Sequence, residues 1–244
     1  YELRITNYEL YLLPTQHSLL VIYYSLIPTY FKIIMFTNDI PTSYSQFTLA
    51  KVKEQFELIT NEKIDLFIDT PNLEPSTLLK DILAYNLPIA LASNSEKARS
   101  ELIIAPILIE LRKQLQDKIN IFSGIEFNVE SENGLTGICD FIITNSPEQL
   151  FISSPVVTLV EAKKENINAG LGQCVAEMIA AKIFNERSKN QIPAIYGTVT
   201  TGTNWRFLKL EENIINIDLS EYYLRDLDKI LGLLAIGLTR ENRD

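Results

Sequence analysis

Histidine is all but missing from these 244 residues, with His17 as the single example. A Ser-His-Asp triad needs an imidazole beside its nucleophile, and zinc hydrolases and histidine-metal nucleases need imidazole ligands, so all three are disfavoured. Cysteine is equally scarce. Cys139 and Cys174 both lie in apolar stretches, which reads as two buried thiols, gives no disulfide framework or zinc cluster, and fits a reducing cytoplasm. There is no Walker loop and no complete GxGxxG fingerprint, which removes the usual phosphate cradles of nucleotide enzymes. Positive charge is also short, with 22 Lys and Arg against 31 Asp and Glu. A net charge of −9 repels phosphate at long range, so any contact with nucleic acid must come from a local basic patch or a bound metal. What remains for chemistry is carboxylates, lysine and ions.

What is present is an ordinary globular composition, 46% hydrophobic, long enough for one full core with an appendage. The informative stretch runs from Gly137 to Phe184 and reads as strand, excursion, strand, helix. On the second strand, over 156–164, alternation puts Glu161 and Lys163 on one side and Ala162 on the other. Asp140 interrupts the apolar run ICDFII in the same way. Burying an unpaired charge is costly, so these groups need mutual pairing or a metal. Two accounts stand side by side here: a reactive cluster, or a strand-end Glu161–Lys163 ion pair with Asp140 satisfied by turn amides.

The spacing Asp140, Glu161-Ala162-Lys163, with Gln173 opening the next helix, resembles the PD-(D/E)XK nuclease superfamily and, within it, the nuclease domains of type I restriction enzymes. Cys139 stands where the motif's proline would be. The resemblance implies an α/β fold, a restriction-endonuclease-like αβββαβ core with a mixed sheet flanked by helices, spanning 93–201. It also implies a metal-dependent phosphodiesterase or endonuclease acting on DNA with Mg²⁺ or Mn²⁺, hard cations that favour oxygen ligands. Asp140 and Glu161 would hold the ion, with the Ala162 carbonyl, and Glu101 is matched to a glutamate on the preceding helix that points at the metal. Lys163 would assist the attacking water, and Gln173 would orient that water or the lysine. For Glu101 a rim position, or pairing with Arg99 or Lys163, is an equal alternative. Lys164 and Arg206, with Lys182, Arg187, Lys189 and Lys209, are candidates for a phosphate-binding face, and solvated surface charge is the competing account. The alternative to an active nuclease is a catalytically inactive module of the same fold that acts as a scaffold, binds a protein partner or forms a homo-oligomer.

Along the chain three regions are expected: 1–34, 35–92 and 93–244. In the first, YEL repeats at a period of seven, and the apolar run over 18–36 leaves two options. One is translated upstream repeat with the start at Met35; the other is a membrane-facing helix within 11–36. In the second, helices are expected over 48–58 and 74–85, the latter ending before Pro88, with short strands at DLFIDT and LPIALAS. Asp65 and Asp69 there read as solvated turn carboxylates. The third begins with a helix over 93–116, capped by Ser93 and Glu96 and carrying Glu101, Ile104, Leu108, Leu111 and Leu115 on one stripe, with a kink or a late start at Pro106. A strand over 121–130, with Glu126 on a solvated face, precedes the Asp140 strand. Strands at AIYGTVTTG, NWRFLKLE and NIINIDLS follow the helix over 168–187, and a helix over 222–238 closes the chain. Trp205 should pack against that last helix rather than stack on a base.

Overall fold

The protein is described by a computed structural model covering residues 2–5, 8–15, 18–22 and 41–239. The chain divides into two compact units, Tyr1–Ile40 and Pro41–Asp244. In the first, β1 (Glu2–Ile5), β2 (Tyr8–Thr15) and β3 (Ser18–Ile22) form an antiparallel sheet in chain order. A membrane helix beginning at Ser18 is therefore corrected to a strand over 18–22, while residues 23–36, with His17 and the suggested start at Met35, lie outside the described residues. Among the described residues no helix is long and apolar enough to cross a membrane.

The second unit opens with α1 (Leu49–Gln55), whose first turn is closed by the Thr48 hydroxyl accepting from the Lys51 N–H at 3.2 Å. Next come β4 (Ile59–Lys63), α2 (Thr77–Ser93), α3 (Glu96–Arg99), a π-helical turn over Ser100–Ile104, and α4 (Ala105–Gln114). β5 (Asn120–Glu126), β6 (Ile138–Thr144), β7 (Val156–Ala162), α5 (Ile167–Arg187) and β8 (Ile195–Thr200) follow. β9 (Asn204–Glu211), β10 (Ile214–Asp218), the two-residue β11 (Tyr222–Tyr223) and α6 (Leu227–Thr239) complete the order. The architecture is α/β: one mixed eight-stranded sheet, ordered β4-β10-β9-β8-β7-β6-β5 with β11 paired to β9, flanked by helices. β5, β6 and β7 form an antiparallel meander, and β8 returns parallel to β7. A parallel return needs a long crossover, and α5 supplies it.

Four local expectations are corrected. DLFIDT is a turn with Asp65 in the left-handed region (φ 56°), and the strand lies just before it as β4, parallel to β10. LPIALAS is helical, because α2 runs through Pro88. The proline removes one helical donor, but Ala84, whose carbonyl loses it, is exposed and can be satisfied by water. The capping residue of the next helix is Ser95, accepting from the Ala98 N–H, rather than Ser93. Pro106 leaves the Leu102 carbonyl without its helical partner, and the Asn86 side chain donates to it at 3.0 Å; the π turn just before absorbs the irregularity. Finally, α6 starts at Leu227, and Tyr223 is exposed on β11 instead of buried on the helix.

The sheet is covered on both faces. Toward α5, Ile142, Leu159 and Val199 meet Leu171, Cys174, Val175 and Met178. Toward α4 and α6, Phe141, Val160, Trp205 and Phe207 meet Ile107, Leu108, Leu111, Leu231 and Leu234. Each fully buried aliphatic side chain contributes about 1.5–3 kcal/mol. α5 is apolar around most of its circumference, as a helix wedged between the sheet and α1 must be. Polar side chains on such a helix are therefore exceptional.

Candidate functional site

Two of those exceptions, Gln173 and Glu177, sit one turn apart on α5 and face the ends of β6 and β7. The pairing of Phe141 with Val160 makes Asp140 and Glu161 the next residues along, on the face that looks at α5. The Asp140 carboxylate accepts from the Ala162 N–H at 2.8 Å, which ties the start of β6 to the end of β7. Glu161 is 1% exposed. One of its oxygens is in an ion pair with the Lys163 ammonium, and the other accepts from the Gln173 amide at 2.9 Å. Gln173 also donates to Glu177 at 3.1 Å, and its carbonyl oxygen lies 3.4 Å from the Lys163 ammonium. Asp140, Glu161, Lys163 and Gln173 are thus brought together.

Close approach of α5 makes this possible. Gly170 lies under the Lys163 side chain, where a Cβ would stand 2.7 Å from Val199 Cγ1 and 3.0 Å from Lys163 Cε. On the other side of Asp140, the β5–β6 register places Gly124 opposite it, between the pairs Ser123–Phe141 and Ile125–Cys139. Gly124 has φ 60°, and a Cβ there would meet nothing within 4 Å. The cluster therefore has a packed wall at α5 and an open flank at β5.

Its electrostatics are unbalanced. Burial first, then Glu177 and Asp140, push the Glu161 carboxyl far above the usual range against the pull of Lys163. Burial likewise raises Glu177 to about 8, with Asp140 adding to the rise while the Gln173 bond, Lys163 and the neighbouring Cys139 thiol oppose it. Burial lowers the Lys163 ammonium, but Glu161, Glu96 and Asp140 outweigh that and raise it overall. Three carboxyl groups share one ammonium, so the cluster keeps protons into neutral pH unless another cation is present. Glu177 Oε2 is buried with no hydrogen-bond partner, the single group in the cluster most in need of one. The neighbouring thiols Cys139 and Cys174 are free, buried and pushed well up by burial and then by Glu177, so they stay neutral and inert.

Glu101 does not join the cluster. It is exposed and pairs with Lys97 at 2.8 Å, one helical turn earlier. The π turn is the reason: with the helical register altered over Ser100–Ile104, the buried stripe passes through Ile103, Ile104, Ile107, Leu108 and Leu111 and leaves Glu101 outside. Glu177 is the residue that sequence reasoning missed. Its signal was a glutamate in the run CVAEMIAA, four residues after Gln173, a spacing that shares a helix face.

The expected phosphate-binding residues are largely engaged. Lys164, Lys182, Arg187, Arg206 and Lys209 each lie within ion-pair distance of a glutamate. Arg206 also donates to Asn168 on the first turn of α5 at 3.1 Å. Trp205 is fully buried and donates to the Gly202 carbonyl, in the cluster that includes α6. Glu126, Asp65 and Asp69 are exposed.

Among the described residues, no group of three or more His, Cys, Asp or Glu side chains could hold a metal ion as they stand. A magnesium-like ion asks for less, one or two carboxylates with waters filling the octahedron. Asp140 and Glu161 offer carboxylate oxygens, and the deficit of positive charge around Glu177 fits a cation. Comparison of the chain with models of protein families, with curated proteins and with solved structures gave no match.

Proposed function

We propose that the protein is a metal-dependent phosphodiesterase of the restriction-endonuclease-like kind that hydrolyses DNA. The observation that carries this reading is the convergence of Asp140, Glu161, Lys163 and Gln173 where the parallel pair β7–β8 ends and α5 begins. In α/β sheets, ligands sit outside the carboxyl ends of strands. The order helix, three antiparallel strands, helix, parallel strand is the core such enzymes would require. Asp140 and Glu161 would hold Mg²⁺ or Mn²⁺, with the Ala162 carbonyl as a further oxygen. When bound, such an ion polarises the phosphoryl group and acidifies a water. Lys163, half-buried at the rim, offers its ammonium to the charge that builds on the phosphoryl oxygens, and Gln173 keeps that ammonium and the Glu161 carboxylate in place. Gly124 leaves the flank beside Asp140 free of side chain, where a backbone phosphate can approach. Lys164 and Arg206 would meet flanking phosphates by exchanging their glutamate partners for them. A cytoplasmic setting belongs to the same proposal and rests on the two free thiols.

The test is incubation of the purified chain with plasmid and linear DNA in Mg²⁺ or Mn²⁺, beside Lys163→Ala. Cleavage by the parent and a loss of at least a hundredfold in the variant are expected, the usual size for a general acid–base or electrostatic group. Cleavage that persists unchanged in Lys163→Ala would remove the proposal. A second reading, an inactive module that serves as scaffold, partner-binding domain or homo-oligomer, is favoured by one observation: Glu161 is already closed by Lys163 and Gln173. It predicts no heat of Mn²⁺ binding in calorimetry and no DNA cleavage.

A further inference from the structure

The geometry points to Glu177 as a positioning residue that sets the orientation of the Gln173 amide, and through it the placement of Lys163 and Glu161. This inference rests on the nuclease reading. Gln173 makes its three contacts only one way round. Its NH₂ group donates to Glu161 at 2.9 Å and to Glu177 at 3.1 Å, leaving its carbonyl oxygen toward the Lys163 ammonium at 3.4 Å. A flipped amide would set NH₂ against the Lys163 ammonium, donor against donor, whichever glutamate holds a proton, and would set oxygen against oxygen wherever a glutamate is ionised. Glu161 alone gives the amide one acceptor. Glu177 gives it a second from the same helix, and two fixed acceptors define the plane of the amide as well as its sense.

Glu177 is itself poorly served by this arrangement. It is wholly buried, and its Oε2 has no partner. A buried carboxyl with an unmet oxygen is destabilising, and an apolar residue would fill the same space on an otherwise apolar helix. Packing alone therefore gives no reason for a glutamate here, and the Cys139 thiol beside it is only a weak donor, whereas orienting Gln173 does. The residue also stands mid-way along α5 and is wholly buried, so its own side chain has little freedom. Among those of the described residues no hydrogen bond joins it to Lys163, so its influence on where Lys163 and Glu161 stand passes through Gln173, beside the direct effect of its charge on both.

A double-mutant cycle tests this in the full chain, using Mn²⁺ and plasmid DNA. The assay is run at about pH 9, where the Glu177 carboxylate is ionised and can only accept; Glu177→Gln can offer either an acceptor or a donor to Gln173 and so releases the amide, and it is expected to lower kcat about tenfold while KM for DNA stays within about twofold. In a Gln173→Ala background the same change is expected to cost no more than about twofold, the share of its direct charge effect, because the group that it orients is gone. Glu177→Met, which keeps the volume but removes the acceptor, should reproduce both results and guards against a folding defect peculiar to one variant. Additive losses in the cycle, or a kcat unchanged in Glu177→Gln, would overturn the inference while leaving the nuclease reading intact. A parent chain that neither binds Mn²⁺ in calorimetry nor cleaves DNA would overturn both.

Discussion

Asn185, near the end of α5, holds both backbone polar groups of Val156 at the start of β7, accepting from its N–H at 2.8 Å and donating to its carbonyl at 2.7 Å. The sheet cannot satisfy Val156 by itself here, because the register between β6 and β7 shifts between Ile143 and Thr144. One buried amide thus fixes where β7 begins and, five residues later, where Glu161 stands. Asn185→Ala strands a buried N–H and a buried carbonyl together. A loss of about 2–4 kcal/mol is expected, read as a fall in the urea midpoint with an unchanged slope. A cost under about 0.5 kcal/mol would show that water replaces the amide.

Gly170 carries a prediction of opposite sign to helix propensity. In an open helix, Gly→Ala would stabilise by up to about 1 kcal/mol. Here the added methyl would meet Val199 at 2.7 Å and Lys163 at 3.0 Å, so α5 must move away from β7 and β8. Gly170→Ala is expected to destabilise by about 1–3 kcal/mol and to weaken Mn²⁺ binding in calorimetry. Gly124→Ala, with nothing to meet but a left-handed backbone, should cost about 1 kcal/mol and spare Mn²⁺ binding.

The contrast between these glycines marks what the sequence made legible. Strands rich in β-branched residues, such as β7 and β8, and the apolar α5 are readable because burial on both faces writes itself into composition. β4, with the sequence ITNEK, was not: it is an edge strand whose identity comes from its parallel pairing with β10, a contact 155 positions away (Ile214 to Ile59). The sequence of α2 reads as a shorter helix because Pro88 is a stop signal in isolation, yet its cost falls on an exposed turn. At the site, the Asp140, Glu161, Lys163 and Gln173 grouping followed from strand alternation. Glu101 falls on the buried stripe only when that stripe is drawn at about 3.6 residues per turn, which takes no account of a π turn, and Glu177 is inconspicuous because the helix around it reads as plain core.

The misplacement of Glu101 is itself testable. Its ion pair with Lys97 joins two largely exposed side chains, the kind of contact that adds little to stability. Glu101→Gln is expected to leave the melting temperature, the Mn²⁺ affinity and any cleavage rate unchanged. A weakened Mn²⁺ affinity would return this glutamate to the ion.

Stability should fall as the solution becomes more alkaline, and Glu177 should be a principal cause. Its carboxyl is raised to about 8 by burial, against roughly 4.3 in an unfolded chain. A carboxyl that holds its proton more tightly when folded favours the fold most when protonated. That contribution is complete below about pH 4 and is lost as the pH climbs toward the folded value, because the unfolded chain ionises freely while the folded one cannot. Between pH 5 and pH 8 this group therefore works steadily against the fold. Thermal melts without divalent ions should therefore show a melting temperature that drops across this window, and Glu177→Gln, which has no proton to lose, should flatten the drop and stand above the parent at pH 8. Mn²⁺ should raise the parent's melting temperature more at pH 8 than at pH 5, since a cation then supplies the charge that the protons had provided. A parent curve that is flat from pH 5 to pH 8 would mean that the carboxyls of this cluster are already balanced within the protein, leaving no vacancy in charge for an ion to fill.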